Sequence, residues 1–93
     1  MAVTVIIPAY LAVHAGGKSS IVLGSQPRNV QEVLDSLWRA APALRDRIVD
    51  ERGTVREHIN VFVGTECTRF TGGMATPVPS GAEIMIVPAV SGG

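Results

Sequence analysis

Asn29-Val30-Gln31-Glu32-Val33-Leu34-Asp35-Ser36-Leu37-Trp38-Arg39-Ala40-Ala41 decides the architecture of this chain. Val30, Val33, Leu34, Leu37, Trp38 and Ala41 recur at helical spacing and make one apolar stripe. Asn29 stands where an N-cap belongs, and Glu32 three residues on nearly completes a capping box. Gln31, Glu32, Asp35, Ser36 and Arg39 take the solvent side, where Asp35 and Arg39 are spaced as an i,i+4 pair. A solvated helix face explains all five. Pro42 ends the helix. A stripe this apolar must be covered, and the flanking sequence offers mainly strands to cover it.

Upstream, Val3, Val5 and Ile7 alternate with Thr4 and Ile6 as in a strand, closed by Pro8. Ala9 to Ser19 reads as a connection turned by Gly16-Gly17. Ser20-Ile21-Val22-Leu23 reads as a second short strand, the hairpin partner of the first. Downstream, Ala43 to Val49 reads as a second helical piece with Leu44 and Ile48 one turn apart. Asp50-Glu51-Arg52-Gly53 is a surface turn. Ile59-Asn60-Val61-Phe62-Val63 is a strand with Ile59, Val61 and Val63 on one face. After the Gly64-Thr65-Glu66 turn, Cys67-Thr68-Arg69-Phe70 reads as a short returning strand. Thr71 to Gly81 is irregular, and Glu83 to Val87 is the last strand.

The order strand, strand, helix, loop, strand, short strand, strand is that of the ubiquitin-like β-grasp. The fold class is α+β, with a mixed sheet packed on one main helix. The first and last strands are apolar on both faces, which makes them central neighbours. Residues 1–88 form the domain, and 89–93 form a flexible tail, Ala89-Val90-Ser91-Gly92-Gly93. At 93 residues the chain holds one modest core.

Lys+Arg 8 balances Asp+Glu 8, so the chain lacks the basic surplus that nucleic-acid binding needs. The one cysteine, Cys67, excludes an internal disulfide. Apolar runs fall well short of the roughly 20 residues that cross a bilayer. The start has no signal-peptide layout, so no membrane and a cytoplasmic location are expected. Cys67 has neither a His nor a second Cys nearby in sequence and reads as a small apolar filler. His14 and His58 share no ligand spacing with it, so no metal is expected. Gly16-Gly17 and Gly72-Gly73 lack the strand–loop–helix setting of a phosphate loop and read as turn glycines. Arg69 reads as a solvated strand arginine.

The third glycine pair, Gly92-Gly93, follows the last strand. Two glycines can enter a narrow channel and present a bare α-carboxylate. A frayed end explains the tail equally well at this point. Beside it, Ile84 and Ile86 are expected to face the helix, and Met85 and Val87 the open side of the sheet. Phe62, out of phase with Ile59 and Val61, joins them. Phe62, Met85 and Val87 are therefore a candidate docking face, or else they complete the core of a small domain.

Taken together, Asn60-Val61-Phe62-Val63, Arg69-Phe70-Thr71-Gly72-Gly73-Met74-Ala75-Thr76-Pro77-Val78 and Gly81 through Gly93 resemble the ubiquitin-like bacterial sulfur carriers. That family includes the molybdopterin-synthase small subunit and the thiamine-pathway carrier. Within it the chain is most similar to the carrier of a cysteine-forming pathway. The resemblance implies a protein co-substrate, with no catalytic residue of its own. An adenylating enzyme of the ubiquitin-activating type uses ATP on the Gly93 carboxylate, and a sulfur donor then leaves a thiocarboxylate there. Gly92, Ser91 and Val90 keep the approach slim. The second partner is a sulfur-accepting synthase of the cysteine, molybdopterin, thiosugar or thiazole type. This chain itself binds no cofactor; a cysteine-forming acceptor carries pyridoxal phosphate. The alternatives are a modifier conjugated through Gly93 and an inert binding module.

Overall fold

The computed structural model describes residues 2–89; Met1 and Val90, Ser91, Gly92 and Gly93 lie outside the described residues. The elements are β1 (Thr4–Ile6), α1 (Ala9–Ala12), β2 (Ser20–Val22), α2 (Val30–Ala40), α3 (Arg45–Ile48), β3 (Ile59–Val63), β4 (Glu66–Cys67) and β5 (Glu83–Pro88). They form a five-stranded sheet in the order β2-β1-β5-β3-β4. β1 and β5 run parallel at its centre, with Val5 opposite Ile84, and the other pairings are antiparallel. The mixed sheet and the central placement of the first and last strands match the expectation. Cover on one face accounts for buried Val5, Ile84 and Ile86, while Ile6, Met85 and Val87 stand half-buried on the other.

α2 covers the inner face. Val30, Val33, Leu34 and Leu37 are buried, and they meet Val3, Val5, Ile59, Val61, Ile84 and Ile86 in one core. Burying an aliphatic side chain of this size contributes about 1.5–3 kcal/mol. The stripe is therefore the largest stabilising contribution that one element makes here. Leu44 and Ile48, fully buried, extend the core under α3 and the 3₁₀ turn Pro42–Leu44. Val63 is only half-buried, because it stands at the hairpin end of β3. There Gly64, at φ 61°, supplies the left-handed first residue that a two-residue turn requires.

The N-terminus of α2 is satisfied from several sides. Asn29 Oδ1 accepts from Glu32 N at 2.9 Å, as an N-cap should. Glu32 does not close the box onto Asn29. Its carboxylate accepts from Arg28 N at 2.9 Å and pairs with the Arg28 guanidinium at 3.3 Å. Those contacts, the backbone bond first, hold its pKa below the usual carboxylate value. Thr76 O accepts from Val30 N, and Val78 N donates to Arg28 O. The irregular 71–81 segment is thus fixed by crossing the helix start.

Three expectations need correction. The 9–19 connection is helical: α1 continues into a 3₁₀ turn, Val13–Ala15, because Leu11, Ala12 and Ala15 bury against the core. Asp35 does not pair with Arg39. Its carboxylate accepts from Gln31 Nε2 at 3.0 Å, one turn back along the helix. The returning strand stops at Cys67, and Thr68–Phe70 is a 3₁₀ turn.

The 50–54 turn is built around one carboxylate. Asp50 Oδ1 accepts from Arg52 N at 2.9 Å and Thr54 N at 3.0 Å. The Thr54 amide, with help from Arg52 and the nearby Arg56 charge, lowers its pKa. A carboxylate with a lowered folded pKa stabilises the fold above its unfolded value of about 3.9 and loses that contribution as pH falls through the folded value. Asp50→Ala should therefore lower the urea midpoint by a constant margin from pH 7 to pH 5. The margin should narrow by pH 3; an undiminished margin at pH 2 would contradict this account of the turn.

Candidate functional site

Strand alternation sends Ile84 and Ile86 to the helix side, where both are buried, and leaves Met85 and Val87 half-buried on the other. Register then decides their neighbours. Met85 lies opposite Ile6 on one side and Phe62 on the other, and Phe62 lies opposite Cys67. The result is a row running Ile6, Met85, Phe62, Cys67 across four strands, all half-buried. Val87 stands in the next row, opposite Asn60. The three expected face residues are thus on one surface, joined by two that the sequence reading did not assign to it. In the sequence Ile6 is marked only by strand alternation, and Cys67 only as a small apolar filler. Both are placed by register, which no local pattern in the sequence states.

The place where the chain leaves the sheet is fixed by two sets of bonds. Ala89 N donates to His58 O at 2.8 Å, just beyond the Ile59–Pro88 pairing. The segment carrying that carbonyl is held by Arg69. Its Nη2 donates to Glu57 O at 2.8 Å and Ile59 O at 2.9 Å, and its Nε donates to Asn60 Oδ1. Arg69 is therefore a clamp across residues 57–60, in contrast to the solvated strand arginine expected from sequence. The planar fork of guanidinium donors suits several carbonyls on one turn. The same bonds draw Thr68–Phe70 out of strand geometry. Phe70 is left 85% exposed beside them.

The remaining candidates are placed as follows. Both turn pairs, Gly16-Gly17 and Gly72-Gly73, have positive φ, as turn glycines do. The third pair, Gly92-Gly93, lies outside the described residues together with Val90 and Ser91. His14 and His58, 44 positions apart by number, line one hollow with Arg47 and Arg56. Sequence separation concealed that meeting. Among the described residues no group of three or more His, Cys, Asp and Glu is arranged to hold a metal ion. No helix among them is long and apolar enough to cross a membrane.

Arg69→Ala removes the donors from Glu57 O and Ile59 O. Hydrogen bonds from a charged donor are worth about 1.5–3 kcal/mol, so a destabilisation on that order is expected from denaturant titration. Hydrogen exchange should accelerate at Ala89, whose acceptor is the carbonyl between those two. Unchanged exchange at Ala89 in the folded variant would contradict the clamp.

Comparison with known proteins bears on what this surface serves. Residues 5–93 match the ThiS family. The chain is 34% identical over 95 residues to the sulfur carrier protein CysO of Mycobacterium tuberculosis, covering 100% of both. It is 36% identical over 85 residues to small archaeal modifier protein 1 of Haloferax volcanii, covering 91% of this chain and 93% of that one. Among solved structures it superposes at TM-score 0.86 on a chain of the Amycolatopsis orientalis BexX/CysO complex. That match has 36% identity and covers 98% of this chain and 99% of the other. With the β-grasp sheet, its main covering helix and a match that reaches residue 93, the chain belongs to the ThiS family of ubiquitin-like sulfur carriers.

Proposed function

We propose that this chain is a cytoplasmic sulfur carrier whose reactive group is the α-carboxylate of Gly93. The observation that carries the reading is the full-length similarity to CysO, together with a family match that includes residue 93. A carboxylate resists nucleophiles because its charge opposes attack. Transfer of AMP from ATP to one carboxylate oxygen releases pyrophosphate, removes that charge and installs a leaving group. A sulfur nucleophile then displaces AMP and leaves a thiocarboxylate on Gly93. Its sulfur attacks the acceptor substrate in the next enzyme and displaces that substrate's leaving group, and hydrolysis of the resulting thioester leaves the sulfur on the product and returns the Gly93 carboxylate. The carrier supplies reach and fit; ATP is bound by the activating enzyme.

Gly92, Ser91 and Val90 serve as the slim stem that enters the partner's channel. Phe62, Met85 and Val87, with Ile6, form the face that seats on the partner. A half-buried apolar row on an uncovered sheet side is the kind of surface that proteins use for this. The acceptor is a sulfur-accepting synthase. Similarity to CysO favours one that forms cysteine and holds pyridoxal phosphate, and the likeness to a chain of the BexX/CysO complex favours a partner that binds the carrier directly. A second reading, conjugation through Gly93 to lysines, is favoured by the similarity to small archaeal modifier protein 1.

Two variants test the reading through an activating enzyme that adenylates the wild-type carrier. Gly92→Trp should retain the thermal midpoint and lose at least tenfold in ATP–pyrophosphate exchange, because an indole cannot follow a channel sized for glycine. Exchange at the wild-type rate would remove the channel from the account. Phe62→Asp should keep its fold and raise the carrier's KM by about tenfold, the effect of losing roughly 1.4 kcal/mol of docking energy. An unchanged KM would show that the open face does not dock.

A further inference from the structure

We infer that the hollow beside the tail root is a second docking element, built to receive carboxylates on the surface of the sulfur-accepting enzyme. This inference rests on the carrier reading above. The hollow holds about 270 Å³ and is lined by Tyr10, His14, Asp46, Arg47, Arg56 and His58. These residues come from three segments: α1 and the turn after it, α3, and the loop before β3. The fold therefore assembles the cluster; no local sequence run does.

Its charge is one-sided. The chain as a whole is balanced, yet two guanidiniums gather here against one carboxylate, with two imidazoles beside them as further hydrogen-bonding groups. That carboxylate, Asp46, has a cation of its own in Arg45, at 3.3 Å, a residue that does not line the hollow. Arg56 is anchored at the hollow, with Nε donating to Asp46 O at 2.9 Å. Arg47 and His58 are exposed. Arginine forks and imidazole N–H groups are the donors that fit carboxylates.

The location argues for a protein surface as occupant. Ala89, the last described residue, is bonded to the carbonyl of His58, whose side chain lines the hollow. An enzyme that draws residues 90–93 into a channel brings the rim of that channel against this region. Tyr10, 50% exposed on the same wall, adds an aromatic with a polar tip. Tyrosine and arginine together are the residue types that dominate binding energy at protein interfaces. The apolar row on the open face would supply contact area. The hollow would supply orientation and electrostatic steering, which complementary charge gives more readily than raw affinity.

The test uses the full chain and BexX, the protein found with CysO in the Amycolatopsis orientalis structure, as probe. Binding is measured at 50 and 500 mM salt. Arg47→Glu/His58→Glu should keep the wild-type melting temperature and bind about tenfold more weakly at low salt. The gap should narrow at high salt, as screening predicts. Arg39→Glu, on the exposed side of α2, changes net charge elsewhere and should bind within twofold of wild type. If the reversal unfolds the protein, Arg47→Ala/His58→Ala should still weaken binding about threefold. Wild-type-like binding by either double variant overturns the hollow as a docking element and leaves the carrier reading standing. Failure of the wild type to bind BexX at all counts against the docking reading beneath it, and this inference falls with it.

Discussion

The parallel pairing of β1 with β5 is the constraint on which the rest of the molecule depends. Parallel neighbours cannot be joined by a tight turn, so everything between them is crossover. Here that crossover includes α2, which lies over the inner face and buries Val5 and Ile84 at the sheet centre. β3 and β4 then close the other side of β5 and leave it without a free edge. The last described element is thereby held along both edges. A chain end emerging from such a strand has a fixed point of departure, and a carrier whose chemistry lies at its tip requires that.

The same pairing fixes the two surfaces around the departure point. The alternation that buries Ile84 and Ile86 leaves Met85 and Val87 on the uncovered side, where register adds Ile6, Phe62 and Cys67. One face of the sheet therefore stabilises the fold, and the other carries the half-buried row proposed to dock a partner. At the sheet end, Arg69 braces residues 57–60 and Ala89 hangs from the His58 carbonyl. The brace costs Thr68–Phe70 their strand geometry. Local order is given up in one turn so that another stays rigid beside the tail.

Much of this was legible in the residues, and the parts that were not share a cause. The α2 stripe, the Asn29 cap and the two-sided apolarity of the terminal strands are local patterns, and each survives in the fold. The tail glycines were legible as a motif only, since their structure lies outside the described residues. Arg69 was misread because a guanidinium that donates to carbonyls nine to twelve positions away leaves no periodic mark. That His14 and His58 line one hollow leaves no mark in the sequence for the same reason, since the fold brings them together. The α1 helix was the avoidable error. Leu11 and Ala15 stand one turn apart with no breaker between them, and Gly16-Gly17 drew the whole segment into a loop reading.

The central claim is that a fixed platform delivers one carboxylate for sulfur loading. Intact mass spectrometry of the chain after incubation with ATP, an activating enzyme and sulfide tests it most directly, with fragmentation to locate any change. Exchange of one oxygen for sulfur at Gly93 predicts a gain of about 16 Da confined to the C-terminal fragment. An unchanged mass with an enzyme that adenylates the chain, or a gain located on Cys67 instead, would contradict the account.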